Sequence, residues 1–290
     1  MGEVVGERVL SAGDEAQLFA FLEPHLDSSL FLISNAEKAG LVDHGEPLQG
    51  TYVASFDSRG RMTAVAAHFW NGNVMLQGDA GLEQAARRAC EVSGRNIRGF
   101  IGPWALVCRA RQAFGLADEP ASHDGQEALY ALALEELQLP SSLQRGDAVL
   151  RPPTEAEVRE VLGGWRADYH VECLGAERKT DLVERALQET QRWVAVGTLW
   201  VLTVAGELVA MTGFNSETRG NVQVGGVFTP PALRGRGYAR AAVAASLQLA
   251  RAERGAVRSI LFTSKTNTPA RRAYESLGYR VVGDFGLVLF

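Results

Sequence analysis

The chain has 290 residues, 46% hydrophobic and 22% charged, which excludes a disordered polymer and leaves room for two modest domains. The formal net charge of −5 excludes the basic excess with which proteins neutralise nucleic-acid phosphates. The three cysteines lack CxxC spacing, and no apolar run reaches the length of a membrane span. We therefore expect a globular protein that uses no metal, membrane or nucleic acid and, because no signal peptide pattern opens the sequence, a cytoplasmic one.

Helical and strand patterns alternate along the first half of the chain. Apolar residues at three- and four-residue steps indicate helices, and runs of β-branched and aromatic residues indicate strands. The predicted elements are a helix at 14–26, strands at 51–56, 63–70 and 73–77, a helix at 82–93, a strand at 97–101 and a helix at 103–114. The polar segment 135–147, which contains Pro140 and Gly146, is predicted to be a linker.

The second half repeats this succession. A short strand at Ala148–Arg151 precedes Thr154 and Glu157, whose spacing is that of a capping box, so a helix is predicted to begin there. The later predicted elements are a helix at 181–194, strands at 199–204, 207–214 and 222–228, a helix at 237–254, a strand at 259–263, a helix at 269–277 and a strand region at 279–290. We infer an α/β fold of the α+β type with mixed sheets, in two tandem domains at 1–140 and 147–290.

The segment from Thr229 to Ala239 joins a predicted strand to a predicted helix. The first N–H groups of a helix have no partner within it and lie at the positive end of its dipole. Gly235 and Gly237 permit a tight turn, and Arg234 and Arg236 add forked cationic donors. This combination predicts a phosphate or pyrophosphate site, with a solvated glycine-rich turn as the alternative. A Walker loop is a weaker alternative, because Gly-Lys-Ser/Thr is missing.

Two motifs resemble one known family. Arg234-Gly-Arg-Gly-Tyr-Ala239 resembles the Arg/Gln-x-x-Gly-x-Gly/Ala signature of the GNAT N-acetyltransferases. Downstream, Asn267-Thr-Pro-Ala-Arg-Arg-Ala-Tyr274-Glu-Ser-Leu-Gly resembles the Asn-x-x-Ala-x-x-x-Tyr-x-x-x-Gly element of the same family. The resemblance covers roughly residues 148–290 and implies an acyltransferase of class EC 2.3.1. Such an enzyme moves an acetyl or short acyl group from acetyl-CoA to an amine of a small molecule, a peptide or a protein.

The resemblance also implies roles for individual residues. Backbone groups at the end of the strand would pair with the pantetheine amides, the glycine loop would hold the pyrophosphate, and Asn267 would contact the pantetheine arm. Tyr274 would protonate the departing thiolate, a proton transfer that suits a phenol, although core packing is the alternative for this side chain. The implied cofactor-binding residues are Val227, Phe228, Thr229, Arg234, Gly235, Arg236, Gly237, Tyr238, Ala239, Asn267 and Arg271, with Arg272 as an alternative to Arg271 for the 3′-phosphate.

The strand before the loop departs from many GNAT enzymes, because it carries Gln223 and no carboxylate that could act as general base. His170, Glu172 and Glu217 are candidates for that role, and none of them is assigned. Interior glycines weaken a strand unless a bulge or a close backbone approach requires them, so the pair at 225–226 predicts a bulge, with accommodation of the sheet twist as the alternative. The resemblance implies that a bulge at this place separates two neighbouring strands and opens a gap for the thioester.

The matching junction in the first half, residues 74–82, lacks arginine and the Gly-x-Gly pattern. Asp79 is predicted to cap the following helix and so to occupy the N–H groups that a phosphate would need. We therefore expect a degenerate GNAT-like first domain without a CoA site. Two other functions stay open for the whole chain: a non-catalytic acyl-CoA-binding or sensing protein, and a scaffold with the GNAT shape.

Overall fold

The computed structural model describes residues 4–179 and 181–290. In them the elements begin with β1 (Val4–Val9), α1 (Glu15–Leu22), α2 (Leu26–Ala39), β2 (Gly50–Asp57), β3 (Met62–Phe69), β4 (Asn73–Gly78), α3 (Leu82–Ser93), β5 (Gly99–Pro103), α4 (Trp104–Ala113) and β6 (His123–Ala133). They continue with α5 (Ser141–Gln144), β7 (Ala148–Arg151), α6 (Glu155–Glu157), α7 (Gly163–Leu174), α8 (Leu182–Ala195), β8 (Leu199–Val204), β9 (Glu207–Thr218), β10 (Asn221–Phe228), α9 (Tyr238–Arg254), β11 (Arg258–Ser264), α10 (Thr268–Glu275) and β12 (Arg280–Leu289). A π-helical turn, Val158–Leu162, joins α6 to α7.

The chain divides into two compact units. Unit 1 is Met1–Leu129 together with Val282–Phe290, and unit 2 is Tyr130–Val281. No helix in the described parts of the chain is both long and apolar enough to cross a bilayer. The predicted boundaries, 1–140 and 147–290, remain a prediction.

Unit 1 is built on strands in the order β1-β2-β3-β4-β5-β12. β4 and β5 are parallel, and the last residues of the chain run antiparallel to β5, with Phe285 opposite Pro103. Val288 is fully buried in the core of this unit with Phe100 and Val107. The C-terminal residues therefore contribute directly to the hydrophobic core of unit 1.

Unit 2 has strands in the order β6-β11-β10-β9-β8-β7, and β10 and β11 are parallel. Successive residues of a strand point to opposite faces. Accordingly Val201 packs with Leu162 below α6–α7, while Leu202 packs with Ala241 and Ala242 of α9. The sheet of unit 2 is thus covered by α7 and α8 on one face and by α9 on the other.

The capping box predicted at the start of α6 is confirmed. Thr154 Oγ1 accepts a hydrogen bond from the Glu157 N–H (3.3 Å), and Glu157 Oε2 accepts one from the Thr154 N–H (2.7 Å). Arg151 on β7 donates to the same carboxylate at 2.6 Å. Strand and helix are therefore joined through one glutamate, which also fixes where the helix begins.

Four elements were not predicted from the sequence: β1, α2, β6 and α5. Nearly every side chain of β1 is exposed, so no buried alternation marks it. β6 is rich in Ala and Leu, which are good helix formers, yet its residues 127–132 are buried in strand conformation. Tertiary burial here outweighs local propensity. The predicted linker at 135–147 contains α5.

Candidate active site in unit 2

The predicted bulge in β10 is present. Gly225 lies opposite Gly213 of β9 and Phe228 lies opposite Met211, so two residues of β10 face one of β9 between these pairs. Gly226 has a φ of +61°, in the left-handed region that favours glycine. The register with β11 covers Asn221–Gln223 only, although both strands continue. Beyond Gln223 the edge of β10 toward β11 is therefore open to an added chain.

The loop after β10 ends in two left-handed glycines. Gly235 has a φ of +78° and Gly237, the N-cap of α9, a φ of +81°. Gly237 offers no capping side chain, and no acidic residue occupies the first turn of α9. The loop from Arg234 to Gly237 is exposed. The first N–H groups of α9 are thus free to bind an anion.

The arginines around this loop differ in whether they have hydrogen-bond or ion-pair partners. Arg234 Nε donates to the Thr229 carbonyl (2.9 Å), and its Nη2 donates to Glu172 Oε2 (2.6 Å). Arg236 is exposed and makes no ion pair with any residue in the described ranges. Sequence reasoning missed Arg240, whose buried Nε has no hydrogen-bond partner. Its position three residues after Gly237, in the first turn of α9, was the available signal.

Tyr238 and Ala239, the first two residues of α9, are half-buried. At the end of β10, Val227 is half-buried within the bulge, and Phe228 is buried against Trp165 with ring centroids 6.1 Å apart. The hydroxyl of Thr229 is buried and has no hydrogen-bond partner in the structure. A polar atom left in this state calls for a ligand oxygen or nitrogen.

Asn267 lies at the N-cap of α10, and its Oδ1 accepts a hydrogen bond from the Ala270 N–H at 3.2 Å. Its Nδ2 makes no hydrogen bond with a described residue, so a donor remains for a ligand. Arg271 donates to the Tyr130 hydroxyl (3.0 Å) and to the Lys265 carbonyl (3.1 Å). Arg272 is exposed and has no ion-pair partner in the described chain, which favours it over Arg271 as a phosphate contact.

Tyr274 is buried on α10 beside two other tyrosines. Its ring centroid lies 6.4 Å from that of Tyr130 and 6.0 Å from that of Tyr279. The Tyr274 hydroxyl makes no hydrogen bond to any residue that the structure describes. Burial, with smaller contributions from Tyr169 and Cys173, raises the pKa of Tyr274 above its usual value. The phenol is therefore fully protonated at neutral pH and can only donate its proton.

The three candidate bases have different surroundings. Glu217 pairs with Arg254 at 2.6 Å near the start of β10, far along the strand from the bulge. Glu172 is occupied by Arg234. His170 Nε2 lies 2.7 Å from Glu189 Oε2, in the arrangement of an imidazole oriented by a carboxylate. The contact with Glu189 occupies one ring nitrogen of His170 and leaves the other available as a base, so His170 is the best placed of the three candidates.

The prediction that Asp79 caps the helix after β4 in unit 1 is wrong. Asp79 does not cap α3: Gly81 is the N-cap, with a φ of +83°, and the Asp79 carboxylate instead accepts from Arg109 Nη1 at 2.7 Å. The prediction failed because a long-range arginine competes for the carboxylate. The junction between β4 and α3 has three residues, 79–81, against nine, 229–237, in unit 2.

The sequence of unit 2 matches the family model of the Acetyltransferase (GNAT) family over residues 165–279. This range contains the bulge, the glycine loop and Tyr274. The match identifies residues 165–279 as a domain similar to this family. None of the curated proteins matches the chain.

Solved structures share the fold along nearly the whole chain. A GCN5-related N-acetyltransferase from Sphaerobacter thermophilus is 16% identical with a TM-score of 0.56, covering 98% of this chain and 94% of that one. A tandem GNAT protein from the clavulanic acid biosynthesis pathway is 11% identical with a TM-score of 0.53, covering 98% and 97%. An acetyltransferase of the GNAT family from Colwellia psychrerythraea is 12% identical with a TM-score of 0.50, covering 98% and 99%. The predicted α/β class in a tandem GNAT arrangement is confirmed.

Proposed function

We propose that unit 2 transfers an acetyl or other short acyl group from its CoA thioester to an amine within a ternary complex. The observation that carries the proposal is the N-terminus of α9. It follows two left-handed glycines and has no capping side chain. Arg236 and Arg240 beside it have no ion-pair partner within residues 4–179 and 181–290. These groups fit a pyrophosphate.

The path of the cosubstrate follows from the remaining free polar groups. Pantetheine amides can extend the open edge of β10 by backbone hydrogen bonds, as an added strand does. The unpartnered Thr229 hydroxyl lies at the loop end of this edge, and the Asn267 amide nitrogen lies at the start of α10. The 3′-phosphate is assigned to Arg272, with Arg271 held away by Tyr130.

The chemistry requires a proton to leave the attacking amine and a proton to reach the thiolate. Tyr274 is the donor to sulfur, since its hydroxyl is protonated and free of hydrogen bonds to described residues. His170, oriented by Glu189, is our choice for the acceptor of the amine proton. The acceptor molecule is a small-molecule amine or the amine of a peptide or protein.

The test is turnover with acetyl-CoA across a panel of small amines, amino acids and peptides. We expect acceptor-dependent release of free thiol together with an N-acetylated product of the correct mass. Binding of acetyl-CoA without turnover on any acceptor would instead support a sensing protein, and absence of binding would reject both. The Gly220→Glu variant, changed at the far end of β10, is the control that should retain turnover.

A further inference from the structure

Arg166 on α7 is a buried arginine that is only partly satisfied. The residue is 5% exposed, and its Nη2 donates to Glu189 on α8. Its guanidinium lies over the Trp193 ring, 4.2 Å from the centroid. The Nε and Nη1 groups are buried and have no hydrogen-bond partner among the residues that the structure describes. Buried donors of this kind cost free energy, so a missing partner is expected.

The unpartnered Nη1 lies at the β10 bulge. A Cβ built on Gly226 would collide with Arg166 Nη1, and Gly226 also has the left-handed φ of +61°. The glycine therefore does two things at this position, since it forms the bulge and leaves space for the guanidinium. The bulge is also where β10 has separated from β11, which is the opening assigned above to the thioester.

We propose that Arg166 Nη1 donates a hydrogen bond to the oxygen of the reacting thioester carbonyl. The inference rests on the proposed function. When the amine nitrogen bonds to the carbonyl carbon, the C=O electron pair moves to oxygen, and Arg166 stabilises that negative charge. The C=O bond then re-forms while the C–S bond breaks, and its electron pair leaves with sulfur. Nitrogen loses one proton to His170 and sulfur gains one from Tyr274. Solvent water then takes the proton from His170 and returns one to Tyr274, so the overall reaction balances.

The surroundings of Arg166 favour the thioester oxygen as its missing partner over a carboxylate on the amine acceptor. Glu189 already balances the charge of Arg166, so little net attraction remains for a whole anion. The guanidinium is buried away from water. A fixed donor in such a site stabilises the negative charge that develops on the carbonyl oxygen during the reaction. Glu189 and the Trp193 ring also hold the guanidinium in one orientation, so it does not need to reorganise during the reaction.

The first test is the infrared carbonyl stretch of acetyl-CoA labelled with carbon-13 at the carbonyl and bound to the protein. A hydrogen bond to the oxygen lowers the frequency, so wild type should show a lower value than free acetyl-CoA. Arg166→Lys keeps the positive charge and a partner for Glu189, but its side chain is shorter than that of arginine. The carbonyl frequency of acetyl-CoA bound to this variant should return toward the value of free acetyl-CoA. Arg254→Lys is the matched control, because Arg254 also pairs with a glutamate, at 2.6 Å, and lies over Trp200, at 5.1 Å.

The second test is kinetic, on the acceptor found in the panel. Arg166→Lys should lower kcat by about 10²- to 10³-fold, the loss of one oxyanion donor, while the dissociation constant for acetyl-CoA rises much less than kcat falls, because the donor binds the developing charge more strongly than the neutral carbonyl. In Arg166→Ala, added guanidinium should restore part of kcat if the variant folds. The Gly226→Ala variant, which displaces the guanidinium without removing it, should lose kcat and gain nothing from guanidinium.

Three results would overturn the inference. One is a carbonyl frequency that is identical in wild type and Arg166→Lys. The second is a rise in KM confined to carboxylate-bearing acceptors, which would place Arg166 on the acceptor. The third is a wild type that fails to bind acetyl-CoA in calorimetry, which rejects the proposed function as well and is seen before any variant is compared.

Discussion

At the scale of single residues, burial sets the protonation state of two phenols, Tyr169 on α7 and Tyr274 on α10. Burial raises the pKa of Tyr169 to about 12, and it raises the pKa of Tyr274 in the same direction. Each hydroxyl therefore holds its proton at neutral pH. A buried phenol is a poor source of free protons but an effective donor to a thiolate formed beside it, because a thiolate in the same dry surroundings is a strong base.

Removing the Tyr274 hydroxyl tests its role. In Tyr274→Phe the ring packing against Tyr130 and Tyr279 remains, so the protein should fold and bind acetyl-CoA as before. We expect kcat to fall by roughly 10²- to 10⁴-fold, as when a general acid is lost, with an unchanged cosubstrate dissociation constant. Steady-state kinetics with calorimetry measures both quantities.

The Tyr279→Phe variant is the control for that change. It removes a hydroxyl of the same tyrosine cluster, one that is hydrogen-bonded to Ser259, and should leave kcat within about twofold of wild type. A Tyr274→Phe enzyme that turns over as fast as this control would show that water protonates the thiolate.

Sequence motifs predict roles for the loop glycines, Arg234 and Tyr274, and these stay predictions. The motifs give no information on how the charged side chains pair: Arg234 donates to Glu172, a residue 62 positions earlier in the chain. Arg166 could not be identified at all, because the unpaired state of its Nη1 and the closeness of that atom to Gly226 are evident only in the structure. Such contacts depend on tertiary packing, which a local pattern does not encode.

At the scale of elements, the pair of helices α7 and α8 is joined by a charged cluster. Burial is the largest influence on the Glu189 carboxyl and would raise its pKa. Hydrogen bonds from His170 and Arg166 outweigh it, and the pKa is lowered to about 2. Below pH 4.5, the ordinary pKa of a glutamate, Glu189 is protonated in the unfolded chain but remains ionised in the folded protein. Glu189 therefore contributes stability above that pH, and the contribution is lost as pH falls toward 2.

Acid unfolding measures this contribution. In wild type, the free energy of unfolding should fall between about pH 4.5 and pH 2 more steeply than in Glu189→Gln, which has no carboxyl to titrate there. Chemical denaturation at several pH values, followed by far-UV circular dichroism, gives both slopes.

The exposed Glu184, on the same helix, supplies the matched variant Glu184→Gln, which should keep the steep wild-type slope. Equal slopes in wild type and Glu189→Gln would mean that the Arg166–Glu189–His170 cluster does not hold the carboxylate ionised.

Periodic elements were the predictable ones. The strands β8 to β10 and helix α9 follow clear apolar patterns, and their predicted bounds agree with the structure to within a few residues, apart from the longer end of β9. β6 was missed because its Ala and Leu residues favour a helix in isolation, and only burial in a sheet selects the strand. Local propensity decides an element only when the rest of the fold makes no competing demand on it.

At the scale of the whole molecule, the chain is not divided at a single point. Residues 282–290 belong to unit 1 although they follow unit 2 in sequence. Their apolar residues predict a strand, which is compatible with any sheet that has an open edge, so the sequence could not show which unit they complete. In the structure these residues pair with β5 and so complete the sheet of unit 1.

The two units differ in what they offer a phosphate. In unit 2 a nine-residue loop, 229–237, ends at the uncapped start of α9. In unit 1 the junction has three residues, 79–81, and Thr63 Oγ1 and Ser55 Oγ donate to the carbonyls of Ala80 and Gly81. This short, internally bonded turn also carries the Asp79 carboxylate. We therefore expect one acetyl-CoA site per chain, in unit 2.

Calorimetric titration of acetyl-CoA into the full chain and into Gly237→Glu tests the central claim most directly. The account predicts one site per chain in wild type and no measurable binding in the variant, which places a carboxylate where the pyrophosphate must lie. Gly220→Glu makes the same change at another left-handed glycine, with a φ of +76°, at the opposite end of β10, and should bind as wild type does. Two sites per chain, or unchanged affinity in a folded Gly237→Glu, would contradict the account.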